Sequence, residues 1–191
     1  MAKSKDTGGL LLLGAGLALF GLAVSGSSKK ARPPSEDDNL HRFMLGQLQR
    51  VAFALGHSAP PLVHDPSSGA AHATGGRIHY APAWVKAKLA EHCNSAECAQ
   101  SVIAGIVAHE FAHITHGDGY SPSRQHNHTV ELRADRVAGR VLGKLGHTPE
   151  DLQKVFLEFD RLGSHTHPAA HLRVAEISSG FERARAGRHW A

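Results

Sequence analysis

Val107-Ala108-His109-Glu110-Phe111-Ala112-His113-Ile114-Thr115-His116 is the stretch from which the rest of the chain is best read. On a helix, residues four apart share a face, with Cβ atoms roughly 5–6 Å apart. His109 and His113 have that spacing, which lets two imidazoles grip one metal ion such as zinc. Glu110 projects beside the ion, where it can take a proton from activated water. Val102, Ile103, Ile106, Val107, Phe111 and Ile114 supply an apolar face for a buried helix, and Gly117-Asp118-Gly119 ends it.

The chain has 191 residues, enough for one domain with appendages and a sizeable core. Its 16 histidines make a chance H-E-x-x-H less rare than usual, so the surroundings of the motif matter. Net charge is a modest +4. The basic residues are scattered except for Lys29, Lys30 and Arg32 and for Arg183, Arg185 and Arg188. No basic patch interleaved with aromatics appears, so no nucleic-acid partner is expected. Cys93 and Cys98 are too few for a zinc ribbon; they would form a small disulfide in an exported domain, or remain thiols in a reducing one.

Residues 7–28 carry no charge, and a run of about 20 such residues can span a bilayer. A cleaved signal peptide ending near Ala23-Val24-Ser25 is the alternative. The run exceeds the usual 7–15-residue signal core, which favours an uncleaved single-pass anchor. Basic residues flank it on both sides, so the positive-inside rule assigns no orientation. A polar linker follows at 29–38, then the main domain at 39–182 and a basic tail at 183–191.

Within the main domain, Ser35 reads as an N-cap with Glu36, Asp37 and Asp38 behind it, opening a helix that Gly56 ends. Residues 60–65 and 76–81 read as two short strands, separated by turns at Ser67-Ser68-Gly69 and Thr74-Gly75-Gly76. An extended edge strand beside the His109 helix would align a peptide by main-chain hydrogen bonds. Helices are expected at 83–92, 96–116, 129–145, 149–162 and 168–178. The fold class is therefore α+β, mostly helical with a small sheet or hairpin, after an N-terminal hydrophobic helix.

A catalytic zinc needs a third protein ligand and an open position. The best candidate is Glu131, in Glu131-Leu132-Arg133-Ala134-Asp135. Asp135, one turn on, is placed to orient a ligand imidazole, and Ala134 and Ala138 permit close packing against the zinc helix. His116 lies seven residues from His109, about 10.5 Å along the axis, too far for a shared ion. His126 and His128 are read as loop residues preceding the Glu131 helix.

H-E-x-x-H followed by E-x-x-A-D resembles the gluzincin metallopeptidases of the HtpX and CAAX-prenyl-protease type. Ala134-Asp135-Arg136 through Leu145-Gly146-His147-Thr148-Pro149 is similar to the family's next segment. His165-Thr166-His167-Pro168 with Arg173 resembles its later T-H-P…R run. Ala71 to Gly76 resembles an upstream turn, without that turn's Asn and Phe. The resemblance implies a zincin-type zinc endopeptidase with one Zn2+ per chain, acting on protein or peptide substrates, often at membranes in protein quality control. It implies His109, His113 and Glu131 as ligands, Glu110 as base and Asp135 behind them. His165, His167 and Arg173 are candidates for a transition-state or regulatory role. The 17 residues between His113 and Glu131 are few for the family, so its substrate class does not carry over. An ImmA-like regulatory metalloprotease and a non-catalytic metal-binding or interaction domain are the alternatives. Glu110, which metal storage does not need, favours the enzyme.

Overall fold

The computed structural model describes residues 35–119, 122–158 and 162–187. The hydrophobic segment 1–28, most of the linker and the end of the basic tail lie outside the described residues. Among the described residues are six helices and one three-stranded sheet: α1 (Glu36–Leu55), β1 (Leu62–His64), β2 (Ala71–Thr74), β3 (Arg77–Tyr80), α2 (Pro82–His92), α3 (Ala96–His116), α4 (Arg124–Leu145), α5 (Glu150–Glu158) and α6 (Ala170–Arg185). The class is α+β. No described helix is long and apolar enough to cross a membrane.

Helix α3 is the centre. Every residue from Ser101 to Ala112 is buried, because α1, α4, α5 and the sheet all pack around it. Its many alanines and one glycine let those neighbours approach closely. A Cβ on Gly105 would lie 2.5 Å from a Leu152 methyl of α5. Ser95 caps α3 by accepting from the Cys98 amide, and Gly117 closes it in the left-handed conformation, φ 66°. Cys93 and Cys98 are joined by a disulfide that ties the end of α2 to the first turn of α3. Helix α1 opens at Ser35 with a reciprocal capping box to Asp38 and closes at Gly56. It thus begins inside the segment read as linker.

The sheet differs from the two-strand expectation. Its order is β1-β3-β2, with β1 parallel and β2 antiparallel to β3. Gly75 and Gly76, at φ 56° and 71°, make the two-residue turn joining β2 to β3. The 76–81 strand is therefore central and paired on both sides. The edge strand beside α3 is β2, which was read as a turn.

Helix α4 starts five residues earlier than expected, at Arg124 behind a Ser123 cap, so His126 and His128 are helical and not in a loop. Helix α5 is described to Glu158, and 159–161 lie outside the described residues. Helix α6 runs past the expected end at 178 to Arg185, across the boundary drawn at 182.

Helices α4 and α6 form the most extensive helix pair. Their backbones nearly touch: a Cβ on Gly139 would stand 1.9 Å from the Ile177 carbonyl oxygen, and one on Gly180 2.0 Å from that of Arg136. No relaxation of a flexible side chain relieves such clashes, since both neighbours are backbone. Gly139→Ala should therefore cost about 1–3 kcal/mol or more. Gly46→Ala on α1, where nothing lies within 4 Å, should be neutral or stabilise by up to about 1 kcal/mol. Urea unfolding of the two variants checks the contrast; equal costs would remove the close-packing argument.

Candidate metal centre

Three side chains converge at the meeting of α3 and α4. His109 Nε2 and His113 Nε2 are 3.2 Å apart. Glu131 reaches across from α4, with Oε2 3.4 Å from His109 Nε2 and Oε1 3.3 Å from His113 Nε2. Ligands held 2.0–2.1 Å from one tetrahedral ion stand roughly 3.3 Å from each other. The three side chains therefore approach one another, Glu131 through a different oxygen toward each imidazole, as closely as ligands of one shared ion do. The donor set, two imidazoles and a carboxylate, suits a borderline divalent ion. Glu131 Oε2 adds a second indication: it is a buried carboxylate oxygen with no hydrogen-bond partner among the described residues, which a cation would satisfy.

Behind the triangle each imidazole faces a carboxylate on its far nitrogen. His109 Nδ1 stands 2.9 Å from Asp135 Oδ1, a hydrogen-bond distance though poorly aligned. His113 Nδ1 lies 3.1 Å from Asp118 Oδ2. Such contacts leave Nε2 as the coordinating atom. Asp135 is fully buried and also accepts two hydrogen bonds from Arg173, each 2.8 Å, through its Nε and one terminal nitrogen. Arg173 in turn sits 4.1 Å from the centre of the Phe156 ring and 3.6 Å from Glu131 Oε2. Asp118 is held by Arg133.

The electrostatics follow from this crowding. Burial pushes the His109 imidazole down, but the Asp135 and Glu131 carboxylates outweigh it and raise it to about 10. Burial likewise pushes Glu131 and Asp135 up. His109 and His113 hold Glu131 well below the usual carboxylate range, with help from Arg173, and Arg173 and His109 do the same for Asp135. All three directions have one meaning. Two carboxylates converging on His109 stabilise positive charge there.

A cleft of about 270 Å³ opens beside the triangle. Glu110 and His109 line it, with Ile106 of α3, Ala71 and His72 of β2, Trp84 of α2, Val155 and Phe156 of α5, and His167 and Arg173. Glu110 is buried and is not among the three converging residues. His167 reaches the site: Nε2 is 3.8 Å from Glu131 Oε2, while Nδ1 pairs with Thr166 Oγ1 at 2.9 Å. Arg173 reaches it too, already engaged by Asp135. His165 is exposed and does not line the cleft. His116 bonds to the Ala112 carbonyl at 2.8 Å, and His128 to that of Ser164 at 2.9 Å; neither they nor His126 join the triangle.

Sequence reading missed Asp118, taken only as part of a helix stop. The signal was Gly117: a left-handed cap folds the chain back over its last turn, and the Asp118 amide returns to the His113 carbonyl at 2.9 Å. A second group, Glu91, His92 and Glu158, also gathers ligand atoms. There the Lys88 ammonium bonds Glu158 at 2.6 Å and Glu91 at 2.9 Å, so a cation is already in place.

Asp135→Asn should raise the dissociation constant for a divalent metal ion about 10–100-fold. It should also lower the unfolding free energy by about 3–5 kcal/mol, because buried Arg173 loses the charge of its hydrogen-bonded partner and keeps only the longer contact to Glu131. Asp118→Asn should give the affinity loss of the same order on the His113 side. Zinc titration with chemical unfolding reads both, and unchanged affinity in both variants would remove the orienting role. No protein-family model matches the chain, and no curated protein or solved structure is significantly similar to it.

Proposed function

We propose that the chain is a zinc-dependent endopeptidase with a zincin-type domain of the gluzincin kind. The observation that carries this reading is the 3.2–3.4 Å triangle of His109, His113 and Glu131, with Glu110 on the adjoining cleft wall. A zinc ion held by those three side chains would act as a Lewis acid and bring the pKa of water to about 7.

The chain's own residues supply the remaining requirements of hydrolysis. Glu110 takes the proton that water gives up on attacking the scissile carbonyl carbon. It then hands that proton to the leaving amine nitrogen as the C–N bond breaks, so the products are a carboxylic acid and an amine. Asp135 and Asp118 keep the imidazoles oriented. Edge strand β2 runs along the cleft, with Ala71 and His72 in its wall, where a substrate main chain can lie against it. Ile106, Trp84, Val155 and Phe156 keep that wall apolar and limit water.

The setting we propose is a domain facing an oxidising compartment, tethered to a membrane by residues 7–28. The Cys93–Cys98 disulfide supports the first part, since such bonds persist outside reducing cytosol. The uncharged run supports the second. Protein or peptide segments close to that membrane are then the accessible substrates.

Glu110→Gln should reduce casein cleavage by about 10²–10⁴-fold while zinc content stays near one per chain. Glu131→Ala should lose zinc and cleavage together. Cleavage that survives Glu110→Gln, or loss of zinc in that variant, would overturn the assignment of roles.

A further inference from the structure

The outer face of the sheet, at the rim of the cleft, carries a pair of histidines to which the hydrolytic steps assign no proton or metal role. His72 of edge strand β2 stands directly opposite His79 of β3 in the antiparallel register. Their neighbours Ile78 and Tyr80 point inward and are buried, so the two imidazoles share the opposite, outer face. The rings are nearly parallel, 14° apart in plane, with centroids 5.1 Å from each other.

Each ring is anchored through its Nδ1. His72 Nδ1 lies 3.1 Å from Ser68 Oγ, and His79 Nδ1 lies 3.5 Å from Asp65 Oδ2. Asp65 itself is fixed by Ser67, whose hydroxyl donates to it at 2.6 Å. Neither Nε2 has a hydrogen-bond partner among the described residues. An oxygen behind Nδ1 and a free Nε2 in front is the arrangement that prepares an imidazole to coordinate.

We propose that His72 and His79 form a second, weaker transition-metal site for a borderline divalent ion such as Zn2+, Ni2+ or Cu2+, at the rim of the cleft. Two nitrogens bound to one ion at 2.0–2.1 Å stand roughly 3–4 Å apart. The rings stand 5.1 Å apart between centroids, so binding requires them to lean together, which side-chain torsions of this kind allow. Imidazole nitrogens suit these ions, and solvent completes the coordination on an exposed face. Because His72 also lines the cleft, an ion held there places positive charge at its mouth and clamps the edge strand to β3.

The test is calorimetric titration of the tag-free, metal-free full chain with Zn2+. Two classes of site are expected, one equivalent each. His72→Asn and His79→Asn should each abolish the weaker class and leave the tight one, whose retention also shows that both variants are folded. Glu131→Ala should remove only the tight class. A single class in the wild type, a weaker class that survives both histidine substitutions, or one that responds to only one of them would overturn the proposal. Failure of the tight class alone would count against the zinc triangle and leave this inference standing on its own result.

Discussion

The Asp135 carboxylate, fully buried between His109 and Arg173, is the interaction on which the other features depend. A charge without water must have its partners in place, and removing one partner of such a pair costs about 3–5 kcal/mol. Asp135 on α4 therefore fixes His109 on α3 from one side and Arg173 on α6 from the other. Three helices are held in register by one side chain. For Arg173 to arrive there, α6 must lie close against α4, and Gly139 and Gly180 make that approach possible by leaving room for the opposing carbonyls. The same placement of α4 brings Glu131, one turn before Asp135, across to the two imidazoles. Packing of small residues and the geometry of the triangle are thus parts of one constraint.

How far the fold could be read from the sequence depended on whether local pattern and tertiary contact agreed. Where they agreed, as in α3 with its unbroken small and apolar run or α1 with its Ser35 box, the expected elements are present. Strand β2 was missed because Ala71-His72-Ala73-Thr74 has little intrinsic strand preference; pairing with β3 creates it. The first turn of α4, Arg124 to His128, offers no apolar periodicity, and only Asn127 packs inward there. Helix α6 runs through Ser178-Ser179-Gly180 and beyond the expected end at 178, although glycine after serines resembles a terminator. Gly180 is there for another reason, the Arg136 carbonyl that would meet any Cβ. Close backbone approach leaves no periodic trace in a single sequence.

The site shows the same division. His109, His113, Glu131 and Asp135 could be singled out because each pair is set at helical spacing on a single rigid element. Asp118 and the apolar cleft walls could not, because a left-handed cap, a short helix and the start of α2 bring them together only in three dimensions. The abundance of histidine does not blur the site. Many of the 16 are engaged in local contacts, such as His41 with the Tyr80 hydroxyl at 3.0 Å and His128 with Ser164. What distinguishes His109 and His113 is that both far nitrogens meet carboxylates while both near nitrogens face a third.

The most direct measurement is the zinc K-edge X-ray absorption spectrum of the full chain carrying one equivalent of zinc. The expected spectrum has only nitrogen and oxygen scatterers, at about 2.0–2.1 Å, with the multiple-scattering pattern of two imidazoles. His113→Ala should release the tightly held zinc, so that this spectrum is lost after the protein is desalted. A sulfur scatterer, three or more imidazoles, or a spectrum unchanged in His113→Ala would contradict a centre built from His109, His113 and Glu131.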